Sequence, residues 1–313
     1  MDWFGTSMRP LAGGYSSETF LVETEPPVVL RIYRRQPQRA QVDASLLQLV
    51  RGIVAVPRVL EVRGPAREHP GVLVTELLEG VALDALLRSG PSTTQLRDLG
   101  MNLGEVLGAL AGIPFLAPGF FVDAQLAVSS EGMPDDLAEW ATLHRDTSRL
   151  ASWPESDWRA LQRLVDTSQR LLDDEGGQTP ARFVLVHSDF NPKNIVVDPE
   201  SCAVVGLVDW EYAHAGSLHA DLGNLTRFER DERLVGPLLD SLNASTSGSR
   251  PQPLQHARAT DLWALIELAG RARSNPVAAL AEALLLEQAR SGDLMAWPWA
   301  GARVDPDGAG HVS

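Results

Sequence analysis

The chain has 313 residues, 44% of them hydrophobic, with a formal net charge of −14 and a single cysteine. This length buries a sizeable core and suits two lobes better than one compact unit. The acidic balance argues against a nucleic-acid partner, because phosphate backbones are bound by basic patches. The lone Cys202 excludes an internal disulfide and fits a reducing cytoplasm. No apolar run is long enough to span a bilayer, and Met1 to Arg9 lacks the basic-then-apolar pattern of a secretory leader. An acidic surface suits a cationic substrate drawn to a cleft, and it equally suits a protein kept soluble by its charge.

In chain order, Leu11 to Val22 reads as a glycine turn, Gly13-Gly14, with the small polar residues Ser16 and Ser17 between apolar positions. Glycines let a backbone approach phosphates closely, although on their own such pairs mark ordinary turns. Val28 to Tyr33 is a strand around Arg31, and 41–50 carries a helical pattern with Asp43 on it. Val56 to Val62 is a turn into a strand, and 71–80 is a strand running into an acidic-glycine stop. Ser92 or Thr93 caps a helix whose buried stripe is Leu96, Leu99, Leu103, Val106, Leu107 and Leu110, ended by Gly112-Ile113-Pro114. The apolar, proline-containing stretch 113–128 is expected to pack across a lobe junction. Two further helices are expected, one starting near Asp135 and Asp136, the other capped by Ser156 and ended by Gly176-Gly177.

The densest chemistry lies in 183–211. Phe183 to Val186, Ile195 to Val197 and Ala203 to Val208 are short apolar runs, and Asp198-Pro199-Glu200-Ser201 has turn chemistry. A hairpin follows from this, with His187, Asp189 and Asn194 in the loop before it and Asp209 and Glu211 after it. Two carboxylates and an amide then meet at one end of a small sheet. Hard oxygen ligands of this kind suit Mg²⁺, which takes one or two carboxylates plus substrate phosphates. His187 reads as a brace for the loop, and Lys193 as either a solvated side chain or a phosphate contact. Further on, Asp221 reads as structural, 241–253 as a Ser-, Asn-, Gly- and Pro-rich loop, 258–273 and 277–290 as helices, and 301–313 as a disordered tail.

The spacing His187-x-Asp189-x-x-x-x-Asn194, followed by Val208-Asp209-Trp210-Glu211, resembles the aminoglycoside phosphotransferase and choline kinase-like family. The resemblance covers about 11–290 and is specific in 183–211. It implies a bilobal, protein-kinase-like α+β fold: a small β-rich lobe over 1–78 and a larger, mainly helical lobe over 79–300. It implies Asp189 as the catalytic base and Asn194 and Asp209 as Mg²⁺ ligands. ATP would lie against Gly13, Gly14, Ser16, Ser17 and Arg31, with the backbone around Glu76 and Leu78 reading the adenine edge. Arg31 stands where the family carries the basic residue that holds the α and β phosphates, and Asp43 stands at the register of its acidic partner. Glu229, Asp231, Asp261 and Glu267 are available as anionic contacts to a cationic acceptor. The activity implied is transfer of the γ-phosphoryl group of ATP to a hydroxyl of a small molecule, an aminoglycoside or other antibiotic. The alternatives are a metabolite kinase of choline, homoserine or sugar type and a non-catalytic nucleotide-binding module. A protein kinase is disfavoured because Asp-Trp-Glu replaces Asp-Phe-Gly.

Overall fold

The computed structural model describes residues 7–11, 18–66, 69–175, 182–246, 253–272 and 275–304. The first part is an antiparallel sheet of β1 (Met8–Pro10), β2 (Glu18–Val22), β3 (Val28–Tyr33), β4 (Val59–Arg63) and β5 (Gly71–Glu76), in the order β1-β2-β3-β5-β4. Its central strand β3 registers Arg31 opposite Thr19 on one side and Leu73 on the other. Helix α1 (Arg39–Val50) packs on this sheet, burying Val42, Leu46, Leu47 and Val50.

The chain then crosses through β6 (Val81–Ala82) and α2 (Leu83–Arg88) to α3 (Thr93–Ala111). Ser92 closes a capping box on α3: its hydroxyl accepts from the Gln95 N–H, and the Gln95 side chain accepts from the Ser92 N–H. Between α3 and the helices α4 (Leu137–Thr147) and α5 (Glu155–Glu175) lie three short strands, β7 (Pro114–Phe115), β8 (Gly119–Phe121) and β9 (Val128–Ser129). Sequence patterning does not resolve these strands, since two or three residues carry no periodicity. Ser45 of α1 donates to the Ala124 carbonyl at 2.7 Å, so the stretch does bridge the two halves, as its composition suggests. Helix α5 begins at Glu155, after Pro154, and not after Ser156; the N–H groups of Asp157 and Trp158 both return to the Pro154 carbonyl.

Next come β10 (Phe183–Val186), β11 (Ile195–Val197), β12 (Val204–Leu207) and β13 (His214–Gly216). Strands β11 and β12 form the expected hairpin, to which β6 adds a third strand, whereas β10 pairs with β13 and β7 in a separate sheet. The remaining helices are α6 (His219–Thr226), α7 (Glu232–Ser245), α8 (Pro253–Gly270) and α9 (Pro276–Ser291). Residues 241–245, expected in a loop, form the last turn of α7. The Leu238 and Leu242 stripe buries there, and burial outweighs the loop-forming preference of Ser and Asn.

One apolar core runs from Tyr33 and α1 through Phe190, Ile195 and Trp210 to α3 and α7, and a second lies among α4, α5, α8 and α9. The α3–α7 contact depends on glycines: a methyl on Gly100 or Gly104 would sit 2.3 Å from the Leu234 carbonyl oxygen or 2.4 Å from that of Leu238. Residues 301–304, expected to begin a disordered tail, lie across the end of α6. Arg230 N–H donates to the Ala302 carbonyl at 2.6 Å and Val304 N–H to the Phe228 carbonyl at 3.0 Å.

Candidate active site

The loop between β10 and β11 is fixed from below. Asp221, 1% exposed, accepts the His187 N–H at 2.8 Å and the Ser188 N–H at 2.7 Å, in the structural role its sequence position suggests. Both donors can face one carboxylate because Ser188 is left-handed, with φ 67°. That conformation costs a non-glycine residue about 1–3 kcal/mol and concentrates at functional loops. Burial pushes the Asp221 carboxyl up to about 7, against the two backbone donors, which pull it down.

His187 is completely buried. Its Nδ1 accepts the Asp189 N–H at 3.3 Å, and its Nε2 lies 3.0 Å from the Val208 carbonyl, which can only accept. The ring is therefore the neutral Nε2–H tautomer, and burial lowers its pKa accordingly. It ties the two loops together.

Asp189 is held on both oxygens. Asn191 Nδ2 donates to Oδ1 at 2.7 Å, and Asn194 Nδ2 donates to Oδ2 at 2.6 Å and to the Asp189 carbonyl at 2.9 Å. Using its NH₂ in this way leaves the Asn194 amide oxygen as a hard ligand. The hairpin pairs Ile195 with Leu207, and Val208 N–H donates to the Asn194 carbonyl at 3.0 Å, so Asn194 and Asp209 emerge side by side. Asp209 is also left-handed, with φ 68°, and its carboxylate is ion-paired with Arg31 reaching down from β3. The structure thus brings Arg31, Asp189, Asn194 and Asp209 to one place.

Arg31 does not pair with Asp43. Asp43, 1% exposed, accepts the Tyr33 hydroxyl at 2.7 Å and Arg39 Nε at 2.6 Å, while Arg39 Nη2 donates to the Trp210 carbonyl at 2.7 Å. The short Asp side chain is taken by its own helical turn, four residues from Arg39. Arg39 and Asn191 are site residues the sequence reading missed. Their signals were an i, i+4 Arg–Asp pair and an Asn two residues beyond a turn Asp.

Two cavities flank the 187–194 loop, and Lys193 lines both. The smaller, about 290 Å³, lies between the sheet and the hairpin and is lined by Val29, Arg31, Thr75, Leu78, Asn194 and Asp209 among others. Glu76 turns its side chain and N–H toward Arg58, so its backbone carbonyl, not its carboxylate, is what it can offer that cavity. Leu78 packs on Gly206. Gly13, Gly14, Ser16 and Ser17 lie outside the described residues; the segment that holds them is closed at its base by Leu11 N–H donating to the Thr19 carbonyl at 2.9 Å. The larger cavity, about 560 Å³, opens on the other side at Asp189, Asn191 and Asn224.

Of the acidic residues considered for a cationic acceptor, Asp261 is bound at both oxygens by Arg227, at 2.9 and 2.6 Å. Glu229 pairs with Arg303, Asp231 caps α7 and pairs with Arg233, and Glu267 pairs with Arg271 at 2.8 Å. None of the four is an uncommitted carboxylate.

The sheet-and-helix architecture recurs in solved structures. A thermostable mutant of aminoglycoside phosphotransferase APH(4)-Ia superposes with a TM-score of 0.64 at 18% identity, over 92% of this chain and 95% of that one. The GDP and kanamycin complex of APH(2")-IIia gives 0.64 at 17% identity, over 91% and 93%. In sequence, an aminoglycoside 3'-phosphotransferase of Streptomyces fradiae is 26% identical over 218 residues, 67% of this chain and 74% of the relative. A model of the phosphotransferase enzyme family matches residues 7–254, from the first sheet through the 187–211 site, and the chain belongs to that family.

Proposed function

We propose that this phosphotransferase moves the γ-phosphoryl group of Mg-ATP to a hydroxyl of a small molecule, with Asp189 as the base and the 290 Å³ cavity as the nucleotide site. The observation that carries the reading is the convergence of Asp189, Asn194 and Asp209 where two cavities meet at one loop. It is a small-molecule kinase. The nucleotide-binding lobe is taken as residues 1–78. The adenine edge is read by the Glu76 carbonyl and the Leu78 N–H, and the phosphates lie against Arg31 and beneath the loop holding Gly13, Gly14, Ser16 and Ser17.

Asn194 and Asp209 would hold Mg²⁺. Their amide oxygen and carboxylate are hard donors on one face of the hairpin, too few for a cage and right for a cation that also takes phosphate oxygens. When bound, that cation neutralises charge on the transferring phosphoryl group. Arg31, freed from Asp209 by the incoming phosphates, holds their oxygens in two-pronged fashion. Asn191 and Asn194 aim the Asp189 carboxylate at the acceptor. Asp189 takes the hydroxyl proton as the oxygen–phosphorus bond forms, and the bond from Pγ to the ADP oxygen breaks. Most of the acceleration comes from positioning and charge neutralisation.

The named relatives act on or bind aminoglycosides, which supports an antibiotic or similar hydroxyl compound as acceptor. No described helix is long and apolar enough to cross a membrane. A buried free cysteine and the need for ATP support the cytoplasm as the site of action. The test is Asp189→Asn: it removes the base, keeps the shape of the side chain and gives up one of the two hydrogen bonds its oxygens accept from Asn191 and Asn194. Phosphorylated product should fall by at least about a thousandfold, with ATP affinity within about threefold of the parent. Turnover within tenfold of the parent would remove Asp189 from the role.

A further inference from the structure

The 560 Å³ cavity beyond Asp189 carries a charge pattern that bears on the acceptor. Its walls are largely apolar, formed by Leu87, Leu225, Phe228, Leu268, Val277 and Val304. The carboxylates lining it, among the described residues, are Asp84, Asp189 and Glu229. Asp84 is held by Arg88 at 3.0 Å, and Glu229, 4% exposed, is held by Arg303 and by the Asp231 N–H at 2.6 Å. That leaves Asp189, the base. The lining cations number five: Arg88, Lys193, Arg227, Arg271 and Arg303. Two more arginines, the half-buried Arg230 and the buried Arg258, are short of partners: among the described residues the three guanidinium nitrogens of Arg230, and Nε and Nη1 of Arg258, have no hydrogen-bond partner. Arg230 instead stacks on Trp297, its Cζ 4.9 Å from the ring centroid.

A polycation entering here would find no uncommitted carboxylate except the one that does the chemistry. Four of the five cations are already paired, Arg88 with Asp84, Arg227 with Asp261, Arg271 with Glu267 and Arg303 with Glu229, so each ammonium group would have to break an existing ion pair in an apolar cavity, where desolvating a charge is most costly. Resting on the phosphotransferase reading above, we infer that the acceptor is a largely apolar alcohol without an array of ammonium groups. The apolar walls bury its body, and Asp189 at the mouth meets its hydroxyl.

The probe is anilinonaphthalene sulfonate, an apolar aromatic anion whose fluorescence rises in apolar cavities, titrated into the full-length protein with Mg-ADP present. The expected result is saturable binding, weakened at least about tenfold by Leu268→Glu and by Val277→Glu, which put a carboxylate on a half-buried wall residue. Leu143→Glu, at an exposed position on α4, should leave it unchanged. Melting temperatures identify a wall variant that fails to fold, and the other then decides. Kanamycin should not displace the probe below about one millimolar. Displacement by kanamycin, or binding indifferent to both wall glutamates, would overturn the inference. Phosphoryl transfer to kanamycin and to no apolar alcohol would overturn the inference and leave the phosphotransferase reading standing, whereas no transfer to any acceptor would overturn both.

Discussion

Asp221→Asn tests how the catalytic loop is supported. The Asp221 carboxylate is buried at 1% exposure beneath His187 and Ser188, and it titrates near 7 against an ordinary value of 3.8. Its folded pKa lies above its unfolded one, so between the two values the folded state holds a proton that the unfolded state has released. Stability therefore falls as pH rises through that window and is constant above the folded pKa. Integrating from 3.8 to about 7, this group lowers stability by about 2 kcal/mol at pH 5 and about 4 kcal/mol at pH 8. Asparagine cannot ionise and carries no such slope. At either pH it loses one accepted backbone hydrogen bond, worth about 1–3 kcal/mol, because its NH₂ faces an N–H donor. The stability of the variant relative to the parent should therefore improve by about 2–3 kcal/mol between pH 5 and pH 8, whatever its absolute offset. The other titrating groups are common to both proteins, and the neighbouring His187 stays neutral because burial lowers its pKa. Urea midpoints at the two pH values measure the difference. A relative stability constant within about 0.5 kcal/mol would refute the argument and mean that the two backbone donors outweigh burial.

Three further substitutions probe the frame. Asp43→Ala strands Arg39, whose Nε it accepts at 2.6 Å, and should cost about 3–5 kcal/mol in urea unfolding, as expected when one partner of a buried ion pair is removed. Gly206→Ala would place a methyl 2.1 Å from Leu78 Cδ1; Leu78 must move, so ATP affinity by calorimetry should fall about fivefold with about 1 kcal/mol of lost stability. Gly104→Ala meets the Leu238 carbonyl oxygen at 2.4 Å, a backbone atom that cannot swing away. Its overpacking cost of about 3 kcal/mol exceeds the roughly 1 kcal/mol of helix propensity gained, so thermal melting should drop.

What could be read from the chain follows from where the information is local. The 187–211 segment compresses its loop, hairpin and second loop into 25 consecutive residues, so spacing alone brings Asp189, Asn194 and Asp209 together. The Ser92 capping box and the leucine stripe of α3 are local in the same way. What escaped depended on partners far along the chain. Asp43 has the register of a partner for Arg31, yet its 1%-exposed carboxylate is claimed by Arg39 and Tyr33, and Arg31 is claimed by Asp209, 178 residues away. Asp261 looks like a free helix-face carboxylate until Arg227, 34 residues earlier, takes both its oxygens. Strands of two or three residues, such as β7 and β9, exist only because β10 and β8 pair with them.

Charge shows the same separation of local from global. A total of −14 invites the thought of a cationic acceptor drawn toward an acidic protein. Exposed charges are screened beyond about 8 Å at physiological salt, so most of that total is not felt inside a cavity. A docked molecule responds to the side chains that touch it and to those buried just behind, which salt screens poorly. Around the acceptor cavity those are arginines whose carboxylate partners are already committed, together with Arg230 and Arg258, whose guanidinium groups have unpartnered nitrogens. The carboxylates at that cavity other than Asp189 are already paired with arginines, so the acceptor's charge is selected by those closed pairs and not by the total.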